Sequence, residues 1–277
     1  NITLPRTLED LGKEVFLQTA WMEEQTGSWI VLSGILLKYR GNRSKIEIPE
    51  NVCVISNGFL ENPASVNEIT LPAQMEEISK GAFQGCTSLR KVVLPEHLTK
   101  IGIGAFQDCT ALQTMVLPDS VTELGEDAFL GCTSLQKLVL SKNLKCIPQC
   151  AFYQCTSLNE IVIPSGVERI ESQAFVQCSS LYALSLPETV SYVGQNNFNG
   201  DTALLSLTVY NPDCHLMTSD YELPKQVLLY CYQDSSCIGM PSSTDGNMCC
   251  WIHRRRQHRL SRPHRRKRLR HRLSPVQ

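Results

Sequence analysis

The stretch Leu112–Ser134 reads LQTMVLPDSVTELGEDAFLGCTS. Leu112, Met115 and Leu117 are apolar, with Val116 between the last two. This β-prone run stops at Pro118, which has no N–H to give to a strand ladder. Val121 and Leu124 follow, three apart, then Ala128-Phe129, then Cys132-Thr133-Ser134. Leu135 begins the pattern again. The opening leucine recurs at Leu89, Leu112, Leu135, Leu158, Leu181 and Leu204. Phenylalanine recurs at Phe83, Phe106, Phe129, Phe152, Phe175 and Phe198, a spacing of 23 residues five times over. A period of about 20–50 residues marks a solenoid. One unit cannot bury its apolar face alone, so neighbours stack and share a core. The six phenylalanines are the expected spine of that core.

The unit leaves room for a strand of ~5 residues and one or two turns of helix or 3₁₀. The run Leu89-Arg90-Lys91-Val92-Val93-Leu94 has the form LxxΦxL (Φ apolar). The whole unit, LxxΦxLPxxΦxxΦxxxAFxxC(T/S)(S/A), resembles the BspA-like leucine-rich repeat family over about Lys45 to Tyr210. The resemblance implies an α/β solenoid: a right-handed coil with parallel strands on one face. It also implies a surface or secreted protein that binds partners.

The chain has 277 residues and a formal net charge of −1. That balance conceals two halves of opposite character. From Trp251 onward there are ten Arg, one Lys and no acid, which leaves residues 1–250 with 15 basic and 27 acidic residues, a net of −12. An acidic body is a poor nucleic-acid binder. No run of 18 apolar residues occurs, so no transmembrane helix is expected. The chain opens on Asn1 without a signal peptide and reads as a mature or truncated piece of a longer product.

Four segments follow from the pattern. Residues 1–44 read as an N-terminal cap. Thr7–Leu17 has helical spacing, and Ser28–Tyr39 reads as a hairpin turning at Ser33-Gly34. Such a cap suits an open solenoid end, which exposes strand edges and core. The stretch GILLKYRGN is similar to the segment that precedes the repeats in many bacterial BspA-like proteins. Residues 45–211 hold the repeats. In the irregular first coil Ile46, Ile48, Pro49, Val52 and Ile55 sit 23 before their counterparts, while Phe59 sits 24 before Phe83. Five regular coils follow, and in a degrading sixth Asn197 replaces the repeated Ala and Asp201 the repeated Cys. Polar residues there are expected to face water on a terminal coil. Residues 212–239 should close the coil with a strand within Gln226–Tyr232. Residues 240–277 read as linker and disordered basic tail.

Little in the sequence points to catalysis. No G-x-S-x-G, P-loop or H-E-x-x-H occurs, and no cofactor, metal or small-molecule substrate is expected. His97 sits where Ser120, Asn143, Gly166 and Thr189 stand in later units, which reads as solvated turn. Cys86, Cys109, Cys132, Cys155 and Cys178 form a column, and burial of small, weakly polar side chains accounts for it. Disulfides along the column are the alternative, but would break a symmetry that every unit shares. Thirteen cysteines is an odd number, so at least one is unpaired within a monomer. Cys231, Cys237, Cys249, Cys250, His253 and His258 match no C-x₂-C zinc spacing. Cys146 and Cys150 share one coil and read as structural.

The strand face carries the binding signal. One outward position reads Thr70, Val93, Val116, Val139, Val162, Ser185 and Thr208. The flanking column reads Glu68, Lys91, Thr114, Lys137, Glu160 and Ala183. Valine favours strands in any case. An apolar track rimmed by charge also has the character of a protein-binding surface. The expectation is a non-enzymatic binding or adhesion module of a bacterial surface or secreted protein, using Thr70, Lys91, Val93, Thr114, Val116, Lys137, Val139, Glu160, Val162 and Ser185. A structural spacer displaying another domain is the first rival. Polyanion binding, of nucleic acid or envelope phosphates, through the His253–Arg272 tail is the second. The break in composition at the tail suits a shifted reading frame equally well.

Overall fold

The computed structural model describes residues 19–217, 223–224 and 226–231. The helical spacing at Thr7–Leu17, Tyr232 and the basic tail lie outside the described residues. In chain order the elements are a short helix α1 (Ala20–Glu24) and a hairpin of β1 (Trp29–Leu32) and β2 (Ile35–Tyr39). Each following coil contributes a longer and a shorter strand: β3 (Lys45–Glu47) and β4 (Val54–Ile55), β5 (Glu68–Thr70) and β6 (Glu77–Ile78), β7 (Lys91–Val93) and β8 (Lys100–Ile101). The middle coils give β9 (Thr114–Val116) and β10 (Glu123–Leu124), β11 (Lys137–Val139) and β12 (Cys146–Ile147), β13 (Glu160–Val162) and β14 (Arg169–Ile170). The last are β15 (Ala183–Leu186) and β16 (Tyr192–Val193), β17 (Ser206–Val209) and β18 (His215–Leu216), and β19 (Leu228–Cys231).

The strands line two walls of a solenoid of about eight turns. One wall holds the sheets β3-β5-β7, β9-β11-β13 and β15-β17-β19. The other holds β1-β2-β4, β6-β8-β10 and β12-β14-β16-β18. Every pairing is parallel except that of β1 with β2. The register is one repeat, as in Leu138 against Met115 and Ile161. The expected helical turns are replaced. The second arm of each regular coil is a two-residue strand, and among the described residues the only helices are α1 and a 3₁₀ turn at Pro63–Ser65. A coil with its second arm extended fits into 23 residues by turning sharply, and that demands special backbone angles.

Those angles recur two residues before and two residues after each phenylalanine. The leading position has positive φ at Gly81, Gly104, Asp127, Cys150, Gln173 and Asn196, and the trailing one at Gly85, Asp108, Gly131, Gln154, Gln177 and Gly200. Glycine takes this conformation freely, whereas a side chain costs ~1–2 kcal/mol. Gly125 serves a different need: a Cβ there would run into the backbone of Ile103 in the preceding coil.

Between the walls lies one continuous core. Phe83, Phe106, Phe129, Phe152 and Phe175 are fully buried. Their successive ring centroids lie 5.2, 5.2, 6.0 and 5.4 Å apart. Phe59, one residue out of step, meets Phe83 edge-on at 79°. Beside the rings the five column thiols are buried and reduced. Each of Cys109, Cys132, Cys155 and Cys178 donates Sγ–H to the carbonyl of the phenylalanine one coil back, at 3.1–3.3 Å. Burial pushes the Cys86 thiol up to about 12. The other four are raised well above the ordinary value, also by burial.

The terminal coil departs from expectation. Asn197 and Asp201 are buried rather than facing water, because β18 and β19 extend both walls past them. Asn197 is fully satisfied: its Oδ1 accepts the Ala174 N–H at 2.9 Å, and its Nδ2 donates to the carbonyls of Glu171 and Gly194. Asp201 accepts the Cys178 N–H through Oδ1 at 2.8 Å, while its Oδ2 has no partner. Burial pushes the Asp201 carboxyl up to about 8.

At the other end, β2 is buried on both faces. Leu36 and Tyr39 join the main core, while Ile35 and Leu37 pack with Met22 of α1 and Ile30 of β1 in a satellite core. Arg40 fastens this unit by donating to the carbonyls of Gln25 and Met22.

Candidate functional site

In each long strand the central side chain points inward and its two neighbours outward, since successive residues alternate across a strand. Val92, Met115, Leu138 and Ile161 are therefore core. Val93, Val116, Val139 and Val162 face out with 38, 64, 40 and 71% of their surface exposed. Val116, Val139 and Val162 stand in direct register in one sheet. Val93 belongs to the preceding sheet, in register with Thr70 and Glu47. Ser185 belongs to the following one, in register with Thr208 and Tyr230. The outward positions thus lie on one wall, but in three sheets.

The flanking column pairs with itself. Glu68 bridges Lys45 at 2.7 Å and Lys91 at 3.1 Å. Lys137 meets Glu160 at 2.9 Å. Hydrogen bonds from Lys45 and Lys91 hold the Glu68 carboxyl below its usual range. Thr114 separates the two groups. The rim of the valine ladder is therefore close to neutral, because charges one repeat apart cancel across adjacent strands.

A second apolar group lies further along the same wall. The residue before each long strand is polar at Arg90, Gln113, Gln136 and Asn159, then becomes Tyr182 and Leu205. Leu205 N–H donates to the Tyr182 carbonyl, placing these two one above the other, and Leu228 stands beside them in the flanking column, in register with Ser206 and so with Ala183. Their exposures are 60, 56 and 41%. The sequence signal was present as a change from polar to apolar at one repeat position, and the degrading period hides it. Among the described residues no group of three or more His, Cys, Asp and Glu side chains could hold a metal. His97 is exposed in a turn.

Parallel strands stacked at a 23-residue register around a phenylalanine spine define a leucine-rich-repeat solenoid. The BspA type leucine-rich repeat family matches in six copies across residues 37–145 and 99–214, and the chain belongs to it. Among solved structures, a leucine-rich repeat protein of T. pallidum is 32% identical, with 61% of this chain and 82% of that chain covered and a TM-score of 0.58. One from Bacteroides ovatus is 21% identical, covering 75% of this chain and 68% of that one at a TM-score of 0.49. A leucine-rich cell surface protein of Faecalibacterium prausnitzii is 19% identical, covering 74% and 87% at a TM-score of 0.37. No curated protein matches the chain.

Proposed function

We propose that this is a non-enzymatic protein-binding or adhesion module that recognises its partner through the outward wall of long strands. The reading rests on the ladder Val116, Val139 and Val162, three exposed apolar side chains held in register by the backbone. Exposed apolar contiguity on a solenoid wall suits recognition of another protein. Thr70, Lys91, Val93, Thr114, Lys137, Glu160 and Ser185 complete the surface, and Tyr182, Leu205 and Leu228 extend it. With its charges paired off, the wall favours a partner surface that is apolar and near neutral. Localisation at a bacterial surface or in secretion follows from the family resemblance alone. The helix and hairpin within residues 1–44 act as the N-terminal cap, residues 45–211 as the recognition coil and residues 212–239 as the closing segment. Among the described residues no helix is long and apolar enough to cross a membrane.

The test is a Val116→Asp/Val139→Asp double variant, compared with the unmodified chain for retention on immobilised surface proteins of host or neighbouring cells. Loss of retention by a folded variant is expected. Unchanged retention overturns the wall as the binding surface, and a wall that retains nothing at all leaves the spacer reading. Removal of residues 251–277 addresses the polyanion reading: retention should survive it.

A further inference from the structure

The order of charges around the valine ladder decides what can lie against it. The wall presents two outward columns, a largely charged one through Glu68, Lys91, Thr114, Lys137 and Glu160, and an apolar one through Val93, Val116, Val139 and Val162. β9, β11 and β13 pair in register, β7 lies next to β9, and β15 next to β13. All four valines are exposed. An extended face of this kind packs well only where apolar meets apolar and like charges stay apart. A second copy of this chain brings the same two columns. A half-turn about an axis lying between the two faces makes such a contact self-complementary.

That axis can run along the solenoid or along the strands. Along the solenoid, it lays each charged column on the other copy's apolar one, with Lys91 on Val93 and Lys137 on Val139. Along the strands, it reverses the order of the rungs and lays each column on its own kind. Set on β9, it then puts Lys91 against Lys137, and set on β11 it puts Lys137 against itself. Between β7 and β9 it puts Val162 against Glu47, and between β11 and β13 it puts Val116 against Ser185. Between β9 and β11 every valine meets a valine, Val116 with Val139 and Val93 with Val162. Lys91 then faces Glu160, Lys137 faces Thr114, Glu68 faces Ala183 and Thr70 faces Ser185, so no like charges meet.

We propose that the partner of this wall is a second copy of the chain, packed face to face and antiparallel about a twofold axis that runs along the strands between β9 and β11. The inference rests on the reading of the wall as a contact surface and names its occupant. Each copy gives the same four valines to an apolar centre, and a Lys91–Glu160 pair closes it on either side of the axis. The six rungs from β5 to β15, spaced ~4.8 Å apart, make a face of modest size. The pair therefore belongs with small, reversible contacts that bury under ~1,200 Å² in total.

Sedimentation velocity of the full chain at rising concentration tests it, with Lys91→Glu, Glu160→Lys and an equimolar mixture of the two variants. The unmodified chain should show a reversible dimer. Each variant alone should self-associate at least about tenfold more weakly, since like charges then meet on both sides of the axis. In the mixture the introduced acid faces the introduced base on one side, and the native pair is kept on the other. Association there should return to the level of the unmodified chain. Both side chains are exposed, and thermal melts by circular dichroism report that the variants fold. An unmodified chain that stays monomeric, or a mixture that associates no better than its two components, overturns the proposal. A monomeric chain whose retention on other proteins is still lost in Val116→Asp/Val139→Asp keeps the wall as a contact surface and overturns only its pairing with a second copy.

Discussion

Cys178 and Asp201 hold the same position in consecutive coils, and each is completely buried. The thiol is at ease there: its Sγ–H donates to the Phe152 carbonyl, and burial keeps it protonated. The carboxyl satisfies one oxygen on the Cys178 N–H and leaves the other without a partner. A repeat that stacks small, weakly polar groups tolerates a long dry column. One acid in that column puts its proton under the control of pH. The contrast shows where the regular solenoid is strong and where its end is weak.

The largest effect should come from the spine. Phe129→Ala removes a ring stacked on both sides and is expected to cost ~3–5 kcal/mol. Phe198→Ala should cost less, because Phe198 borders a pocket of about 270 Å³ that also adjoins Asp201 and Pro224. Equal losses in chemical denaturation would erase the distinction between middle and end.

Asp201 comes next. Its carboxyl titrates near pH 8 in the folded chain, against 3.8 ordinarily, so the folded state binds the extra proton between those values. Stability then falls as pH rises from about 4 to 8, with a slope approaching ~1.4 kcal/mol per pH unit. Asp201→Cys restores the column residue. It should flatten that slope, so that its stability advantage over the unmodified chain grows as pH rises from about 4 to 8. A melting profile with the same pH dependence in both proteins would contradict this.

Thiol labelling sharpens the comparison without altering stability. At neutral pH in the native state Cys53, which is exposed, should react with a small alkylating agent. Cys86, Cys109, Cys132, Cys155 and Cys178 should react only on unfolding, and peptide mapping distinguishes the two sets. The smallest stability change belongs to the wall: Val116→Asp and Val139→Asp should each shift it by ~0.5 kcal/mol or less, since exposed positions seldom matter more.

The period of the phenylalanines was enough to read the stacking, the register and the inward and outward sides of each long strand. The valine column and its charged flank were legible for the same reason: residues one unit apart must be neighbours. The extended second arm was not. A pair such as Glu123-Leu124 is too short to show a period of two, and only the alternation of Gly104, Asp127 and Cys150 hinted at the positive φ that makes the tight turn possible. The burial of Asn197 and Asp201 was misread because the coil that covers them, ending in Leu228–Cys231, no longer keeps the period. The neutral rim required pairing distances, such as 2.7 Å between Lys45 and Glu68, that a column of letters suggests but does not fix. The apolar trio of Tyr182, Leu205 and Leu228 fell where the repeat decays.

The central claim is that the rungs are interchangeable and that their stack alone is stable. Deleting Gln113–Leu135 removes one whole unit of 23 residues and brings Leu112 against Gln136 in unbroken phase. Circular dichroism on thermal unfolding should show that this shortened chain keeps its strand signal and melts cooperatively, at a somewhat lower temperature. A deletion of half that length in the same place should abolish the transition. If the whole-unit deletion unfolds the chain as thoroughly as the half-unit one, the rungs are not equivalent and the account is wrong.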